Sequence, residues 1–257
     1  MASTLPGTTN LSRFFNRRDF SNSVELVVNE TKFVCSGVML AQQSPVFEQL
    51  LTSGASFILL QHFFYPSSEI AVEECITLLY GGKALVTQQN IELITKFAAI
   101  YEIRFLWDMT FSWINENTDV SLIFKIHHIA MCPEVVVRKP DLLDFVLQFI
   151  EDNQEHVAEK MIEKVTVGEE ITGPFITSIV KLSNGPQVLK FLALYANFSE
   201  DKSYFVLDLS EFIDYEKAYK ENKNIFNELM VAIKTRAQDC EKLKQLLDIQ
   251  LSVLKIE

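Results

Sequence analysis

The sequence has few of the residues that interrupt regular structure. Only 8 of its 257 residues are glycine and 7 are proline. Because flexible linkers and low-complexity segments are usually rich in such residues, the composition argues against a long linker inside the chain. Hydrophobic residues make up 48% of the sequence. That content is enough to bury one large core or two modest ones.

Basic residues are also scarce. The chain has 23 lysines and arginines against 34 aspartates and glutamates, which gives a formal net charge of −11. Nucleic-acid binders need clustered basic side chains for their phosphate contacts, and the one basic cluster here, residues 13–18, is small. We therefore expect no direct contact with nucleic acid.

Long apolar stretches are missing. No uninterrupted apolar run approaches the length that spans a bilayer. The first ten residues have neither the basic nor the apolar region of a secretory leader. We therefore expect a protein of the cytoplasm, the nucleus or both, with no membrane segment.

Cysteine is sparse, and its spacing offers no disulfide framework. The four cysteines are Cys35, Cys75, Cys132 and Cys240. None of them forms a C-x-x-C pair, so we expect reduced thiols. His128 and Cys132 are four residues apart and would share a helix face with each other. A structural zinc site needs four ligands, usually in two local pairs, and no second pair exists. We therefore expect no metal and no cofactor.

The residue arrangements that catalysis requires are absent from the sequence. No G-x-S-x-G elbow presents a nucleophilic serine, and no glycine-rich loop is placed to cradle a phosphate. The adjacent carboxylates Glu73–Glu74 and Glu169–Glu170 would point apart on a helix. We therefore do not expect an enzyme.

A regular succession of elements is predicted for the first part of the chain. Val24–Val28 and Thr31–Cys35 are predicted to be strands joined by a tight turn at Asn29-Glu30. The helical pattern of residues 37–51 is predicted to split at Ser44, which would cap the second helix while Pro45 occupies its first turn.

The elements that follow are predicted from apolar runs and from helix-stop signals. Residues 55–64 form a mostly apolar run that predicts a strand covered on both faces. A helix is predicted from Ser68 to the Gly81-Gly82 pair, which would end it. Its inward-facing residues are predicted to be Ile70, Val72, Ile76 and Leu79. Further helices are predicted to begin at Thr87 and at Phe105.

From Asn115 onward the periodicity is mainly helical. Tyr204–Leu209 has the composition of a strand but also suits the approach to a helix. Residues 215–256 predict one long helix or two, with apolar residues, mostly leucines, at 4–3 spacing from Leu229 to Leu254. That spacing is compatible with packing on the preceding helices and with a coiled-coil contact to a partner.

Four sequence patches occur together in a recognisable order. They are Val24–Val28 with Phe33–Cys35, Val38–Ala41 with Ser44–Phe47, Leu78–Gly82, and Asn90–Leu93 with Ala98 and Ile103. In this order they resemble the BTB/POZ domain over roughly residues 15–115. The helices that follow are similar in position to the BACK-like extension of BTB adaptor proteins.

The resemblance implies an α/β BTB/POZ fold, a small sheet with a helical shell, followed by an all-α extension. We predict a partly disordered N-terminal segment over residues 1–20 and the BTB/POZ domain over 21–115. The BACK-like extension is predicted over 116–212, and a long C-terminal helix suited to a coiled coil over 213–257.

The implied function is protein–protein interaction. One alternative is a substrate adaptor of a cullin-type ubiquitin ligase. The other is a homo- or hetero-oligomerising scaffold in transcription or chromatin regulation. Cullin-binding family members often carry a hydrophobic-x-Glu motif before the third main strand, and the matching loop, residues 52–56, has no glutamate. Ser23 and Ser36-Gly37 replace charged residues that many dimeric members have near their dimer pocket.

Candidate partner-binding residues are the large apolar side chains near the implied interaction faces, because such side chains anchor interfaces well. They are Leu11, Phe14, Phe15, Val38, Leu51, Phe57, Phe105 and Trp107. The turn that holds the first three is too short to be stable alone, so it must pack on its own domain or on a partner. The expected partners are proteins, including a second copy of the chain and a cullin scaffold.

Overall fold

The structure is a computed structural model, and it describes residues 23–63, 68–183, 185–236 and 241–254. These residues form two compact units. The first unit contains the described residues up to Thr118 together with His128–Leu143. The second contains Asp119–His127 and the described residues from Asp144 onward.

In the described residues up to Thr118 there are three strands and five α-helices. They are β1 (Ser23–Val28), β2 (Thr31–Ser36), α1 (Gly37–Gln43), α2 (Pro45–Thr52), β3 (Phe57–Leu59), α3 (Ser68–Leu79), α4 (Ile91–Ile100) and α5 (Arg104–Asn117). A short 3₁₀-helix, Gln61–Phe63, follows β3.

The rest of the described chain is helical. Its α-helices are α6 (Ile123–Ala130), α7 (Pro133–Arg138), α8 (Pro140–Asp152), α9 (Gln154–Thr166), α10 (Gly173–Leu182), α11 (Pro186–Ala196), α12 (Glu200–Asp208), α13 (Tyr215–Arg236) and α14 (Glu241–Leu254). The fold class predicted from the sequence, a small sheet with helices followed by further helices, is confirmed.

A hairpin and one parallel strand form the sheet. Its order is β2-β1-β3, with β1 antiparallel to β2 and parallel to β3. The predicted turn at Asn29 is confirmed, since this residue has a φ of 49°. Asparagine tolerates this left-handed conformation better than most residues. The core face of β1 consists of Val24, Leu26 and Val28, all buried.

Ser44 separates α1 from α2, as predicted. Its side chain accepts a hydrogen bond from the Phe47 N–H at 3.0 Å, and Pro45 occupies the first turn of α2. Both features are typical of a helix start. The two short helices pack against each other beside the sheet.

The predicted strand over residues 55–64 is wrong in its length and in its burial. Only Phe57–Leu59 is a strand, and Phe57 and Leu59 are exposed while Ile58 is buried. Because β3 lies at the edge of a three-stranded sheet whose helices cover one face, its side chains alternate between core and solvent.

Two details of the predicted helices are also wrong. Ile70 is 62% exposed rather than turned inward. Ile70 and Val72 are two residues apart, so their side chains leave the helix about 200° apart. The helix predicted to begin at Thr87 begins at Ile91. Before it, Thr87 and Asn90 exchange hydrogen bonds between backbone N–H groups and side chains, which forms a turn.

The second unit is a helical assembly around its own aromatic core. Phe175, Phe191 and Phe226 are fully buried there. Tyr204–Leu209, whose composition suggested a strand, is helical up to Asp208 and continues in a 3₁₀-turn. The C-terminal segment forms two helices, α13 and α14, and α13 is kinked at Asn222.

Candidate protein-interaction surfaces

The predicted partner-binding residues occupy different environments. Leu11, Phe14 and Phe15 lie outside the described residues. Val38 on α1 is half exposed and Phe57 on β3 is 62% exposed, whereas Leu51 on α2 and Phe105 on α5 are partly buried.

Among the predicted interaction residues that the structure describes, Trp107 is the most enclosed, at 4% exposure. Its ring stacks on Phe111 with the ring centroids 5.9 Å apart, and the Lys139 ammonium lies 4.9 Å from the ring centroid. These contacts leave little of the indole for a partner. Trp107 holds α5 in place, and Phe105 is the more accessible of the two aromatic residues.

The sheet presents one face away from the core, here called the outer sheet face. It carries Glu25, Val27, Lys32, Val34, Phe57 and Leu59. Glu25 and Lys32 form an ion pair at 2.9 Å. An exposed pair of this kind contributes at most about 1 kcal/mol to stability. The apolar part of this face is concentrated on β3, where Leu59 is 42% exposed beside Phe57.

The backbone of β3 uses alternate residues to bind β1. The Glu25 N–H donates to the Ser56 carbonyl at 3.1 Å, and the Leu60 N–H donates to the Val27 carbonyl at 2.8 Å. Because backbone groups alternate in direction along a strand, those of Phe57 and Leu59 point away from β1. Within the described part of the chain, no strand pairs with this second edge of β3.

Buried aromatic residues fix the position of β3. Leu60 and Phe63, which follow the strand, are fully buried. The Phe63 ring lies 5.6 Å from Phe97 and 6.4 Å from Tyr101, and Phe47 stacks on Tyr101 at 4.4 Å. This cluster joins α2 and α4 behind the strand. Burial raises the pKa of the Tyr101 hydroxyl, which stays neutral at physiological pH.

The second unit has a groove of mixed polarity between α11 and α13, with a volume of about 610 Å³. Ala193 and Ala232 are small, buried residues in this groove, and Leu194 and Val231 are exposed at it. Both helices also contribute polar side chains, among them Lys190 and Glu228. Small residues between larger ones allow close approach of an apolar ridge from another helix. The sequence did not indicate this groove, because periodicity does not show which helices are neighbours.

The thiols of the three cysteines that the structure describes are poor nucleophiles. Burial raises the pKa of Cys35 to about 12 and raises that of Cys75 well above its ordinary value. Burial also raises the pKa of the half-buried Cys132, and the neighbouring Lys96 only partly offsets this effect. A thiol with a raised pKa holds its proton at neutral pH and reacts slowly.

The two adjacent histidines do not form a site together. His127 is buried in the second unit, where its Nε2 lies 3.0 Å from the Ser178 hydroxyl. His128 belongs to the first unit and is largely exposed, with its Nε2 3.9 Å from a Glu92 carboxylate oxygen. Among the described residues, no three His, Cys, Asp or Glu side chains come together as a metal site would require.

The sheet, its capped helices and the exposed edge strand define the class of the first unit. Residues 11–118 match the family model of the BTB/POZ domain. The chain therefore contains a BTB/POZ domain, and a helical region follows it. BTB/POZ domains are protein–protein interaction modules. A comparison with curated proteins finds no match. None of the helices in the described ranges is long and apolar enough to cross a membrane.

Proposed function

We propose that this chain is an adaptor, in which the BTB unit binds a cullin-type scaffold of a ubiquitin ligase and the helical region binds a client protein. One observation carries the proposal: each compact unit has exposed apolar side chains of its own. In the first unit these include Phe57 and Val38, and in the second they include Leu194 and Val231 beside the groove. An adaptor needs two such surfaces, since it binds two proteins.

Part of the predicted extension supports the scaffold-binding half of this proposal. Helix α7 belongs to the same unit as the BTB domain and packs on α4. Arg138 at its end forms an ion pair with Glu102 at 2.5 Å. Val137 on α7 is 80% exposed. The first extension helices therefore offer a scaffold an apolar contact on the BTB unit itself.

A second candidate is an oligomerising scaffold in transcription or chromatin regulation, without a ligase role. The second edge of β3, with which no described strand pairs, favours it, because an open edge can bind a further strand. The absence of glutamate from residues 52–56 also favours it over cullin binding. Both candidates are compatible with a protein of the cytoplasm, the nucleus or both, and the three described cysteines, which form no disulfide, suit a reducing compartment.

Light scattering on the purified chain, with and without a cullin N-terminal domain, tests the first candidate. We expect the chain to gain the mass of one cullin domain per protomer. Phe57→Glu and Val137→Glu should each weaken this gain, because both place a charge in an apolar contact. Ile70→Glu is the matched control, since Ile70 has the same 62% exposure as Phe57.

The outcomes separate the two candidates. A chain whose mass does not change with cullin contradicts the ligase-adaptor proposal. If that chain is a dimer, the oligomerising scaffold is supported. Equal effects of Phe57→Glu and Ile70→Glu would show that the outer sheet face does not take part in cullin binding.

A further inference from the structure

We infer that the groove between α11 and α13 binds an extended segment of a client protein, in which two apolar side chains are flanked by one acidic and one basic residue. The inference rests on the adaptor proposal and deepens its client-binding half, because it names the surface and the chemistry of the segment that this surface accepts. The groove lies within the second unit.

The dimensions of the groove suit an extended chain better than a helix. Its walls run from Lys190 to Asn197 on α11 and from Asn224 to Ala232 on α13. At a rise of about 1.5 Å per residue, these stretches are roughly 10–12 Å long, and a helix of that length fills on the order of 1,000 Å³ with its side chains. The groove holds about 610 Å³. An extended chain advances about 3.3 Å per residue, so about three or four of its residues span the groove.

The middle of the groove accepts apolar side chains. Ala193 and Ala232 are small and buried there, so they leave room between Leu194, which is 37% exposed, and Val231, which is 61% exposed. Alternate side chains of an extended segment project from the same face. Two apolar residues separated by one other residue therefore enter the groove together and cover Leu194 and Val231.

The amide side chains of the groove match the backbone of an extended segment. Asn224 and Asn227 are both exposed on α13. An asparagine amide has N–H donors and a carbonyl acceptor, the same groups that a peptide bond has. The backbone groups of a helix are already paired within the helix, whereas those of an extended segment are open to other partners. Exposed amides beside apolar side chains therefore favour an extended occupant.

Two opposite charges on facing walls define the charge pattern of the occupant. Lys190 on α11 and Glu228 on α13 are both exposed at the groove. Among the described residues, neither of them forms an ion pair. An occupant with a carboxylate near Lys190 and a basic side chain near Glu228 complements both walls. Exposed ion pairs add little affinity, but they orient a ligand and discriminate against the wrong one.

Selection from a phage-displayed library of random dodecapeptides, with the full chain as the target, tests the inference. We expect enriched peptides to carry apolar residues at positions i and i+2 between an acidic and a basic residue. A selection that enriches no sequence pattern overturns the inference. Apolar residues enriched at i, i+3 and i+4 also overturn it, because that spacing belongs to a helix.

Fluorescence anisotropy of a labelled, enriched peptide tests whether it binds in the groove. Val231→Glu should weaken binding at least about tenfold, since it places a carboxylate among the apolar contacts. Val167→Glu is the matched control, because Val167 is 68% exposed in the same unit but lies at the end of α9. Equal losses for the two variants overturn the inference. A chain that is a dimer until Val231→Glu is introduced would assign the groove to a second copy and overturn it as well.

Charge reversal tests the predicted charge pattern. Selection on Glu228→Lys should enrich peptides in which an acidic residue replaces the basic one, because both walls of the groove are then positive. Glu159→Lys makes the same change in net charge at an exposed site on α9 and should leave the preference unchanged. A preference that both variants change equally, or that neither changes, overturns the assignment of Glu228.

Light scattering with the cullin N-terminal domain separates this inference from the scaffold-binding half of the adaptor proposal. The Val231→Glu chain should gain the cullin mass as the unchanged chain does, since the groove belongs to the second unit. A chain that gains the cullin mass but selects no peptide overturns the groove inference alone. A chain that selects the expected peptides without binding cullin supports the groove and contradicts the ligase role.

Discussion

Ser44 connects two segments of the BTB unit through one buried hydroxyl. The oxygen accepts a hydrogen bond from the Phe47 N–H at 3.0 Å, and the hydroxyl donates to the Tyr101 carbonyl. Its backbone N–H also closes α1 by donating to the Leu40 carbonyl at 3.1 Å. One serine thus ends α1, begins α2 and fixes α2 to the end of α4.

Ser44→Ala should lower the free energy of unfolding by about 2–3 kcal/mol, because it removes the cap of α2 and leaves the buried Tyr101 carbonyl without its donor. Urea unfolding followed by circular dichroism measures the change. Ser53→Ala is the matched control, since the exposed Ser53 hydroxyl donates to the Leu50 carbonyl at 2.6 Å and water can replace it. Ser53→Ala should lower the free energy of unfolding by less than about 0.5 kcal/mol. Similar losses for the two variants would contradict the special role of Ser44.

At the scale of elements, the end of α3 shows how a glycine pair sets a chain reversal. The Gly82 N–H donates to the Thr77 carbonyl at 2.8 Å, and the Gly81 N–H donates to the Leu78 carbonyl at 3.0 Å. Gly81 has a φ of 72°. This arrangement is a Schellman motif, and it uses a left-handed residue that glycine adopts without strain. The reversal keeps Tyr80 in place, and its hydroxyl accepts a hydrogen bond from the Ser36 N–H.

Gly81→Ala should therefore destabilise the chain by about 1–2 kcal/mol, the cost of a Cβ in the left-handed conformation. Gly173→Ala provides the comparison. Gly173 has no positive φ, and an added Cβ would meet Phe205 at an ordinary 3.5 Å. That variant should keep or raise stability, by up to about 1 kcal/mol. Thermal and urea unfolding of both variants distinguish the two sites, and a tolerated Gly81→Ala would show that the end of α3 can rearrange.

Local signals explain the elements that the sequence predicted correctly. Asn29 between two strands and Ser44-Pro45 inside a helical pattern each act through their own backbone geometry, so neighbouring residues suffice to predict the turn and the split. Tyr204–Leu209 shows the opposite case. Its strand-like composition is overridden because Val206 and Leu207 are buried in a helical unit where α12 packs on α11. Tertiary packing outweighs intrinsic preference at such a site.

The candidate surfaces were predictable only in part, for the same physical reason. Phe57 was identified as an interaction residue from its apolar character, but its neighbour Leu59 was not. A fully apolar run does not reveal whether the strand lies at the centre or at the edge of its sheet. The number of neighbouring strands determines which side chains are exposed, and this number cannot be read from the run itself. The groove at Leu194 and Val231 also depends on the pairing of two helices that are separated in sequence by α12.

The whole molecule combines a strongly acidic chain with two compact units, each of which has exposed apolar residues. The net charge of −11 opposes non-specific association and attracts basic partners at long range. We therefore expect specific contacts to come from exposed apolar side chains, such as those of β3 on the outer sheet face and those of Leu194 and Val231 at the α11–α13 groove. A net negative charge combined with short uncharged patches suits an interaction protein, because the charge discourages aggregation while the patches select partners.

The net negative charge of the chain predicts how salt affects self-association. The distance over which charges act falls from about 10 Å at 0.1 M salt to about 3 Å at 1 M. If the chain self-associates, as the second candidate function requires, its copies repel each other through their net charge, so sodium chloride should tighten the oligomer several-fold. Sedimentation equilibrium at low and high salt measures this change. An oligomer that weakens with salt would indicate that complementary charges hold the copies together, which contradicts contacts between uncharged apolar side chains.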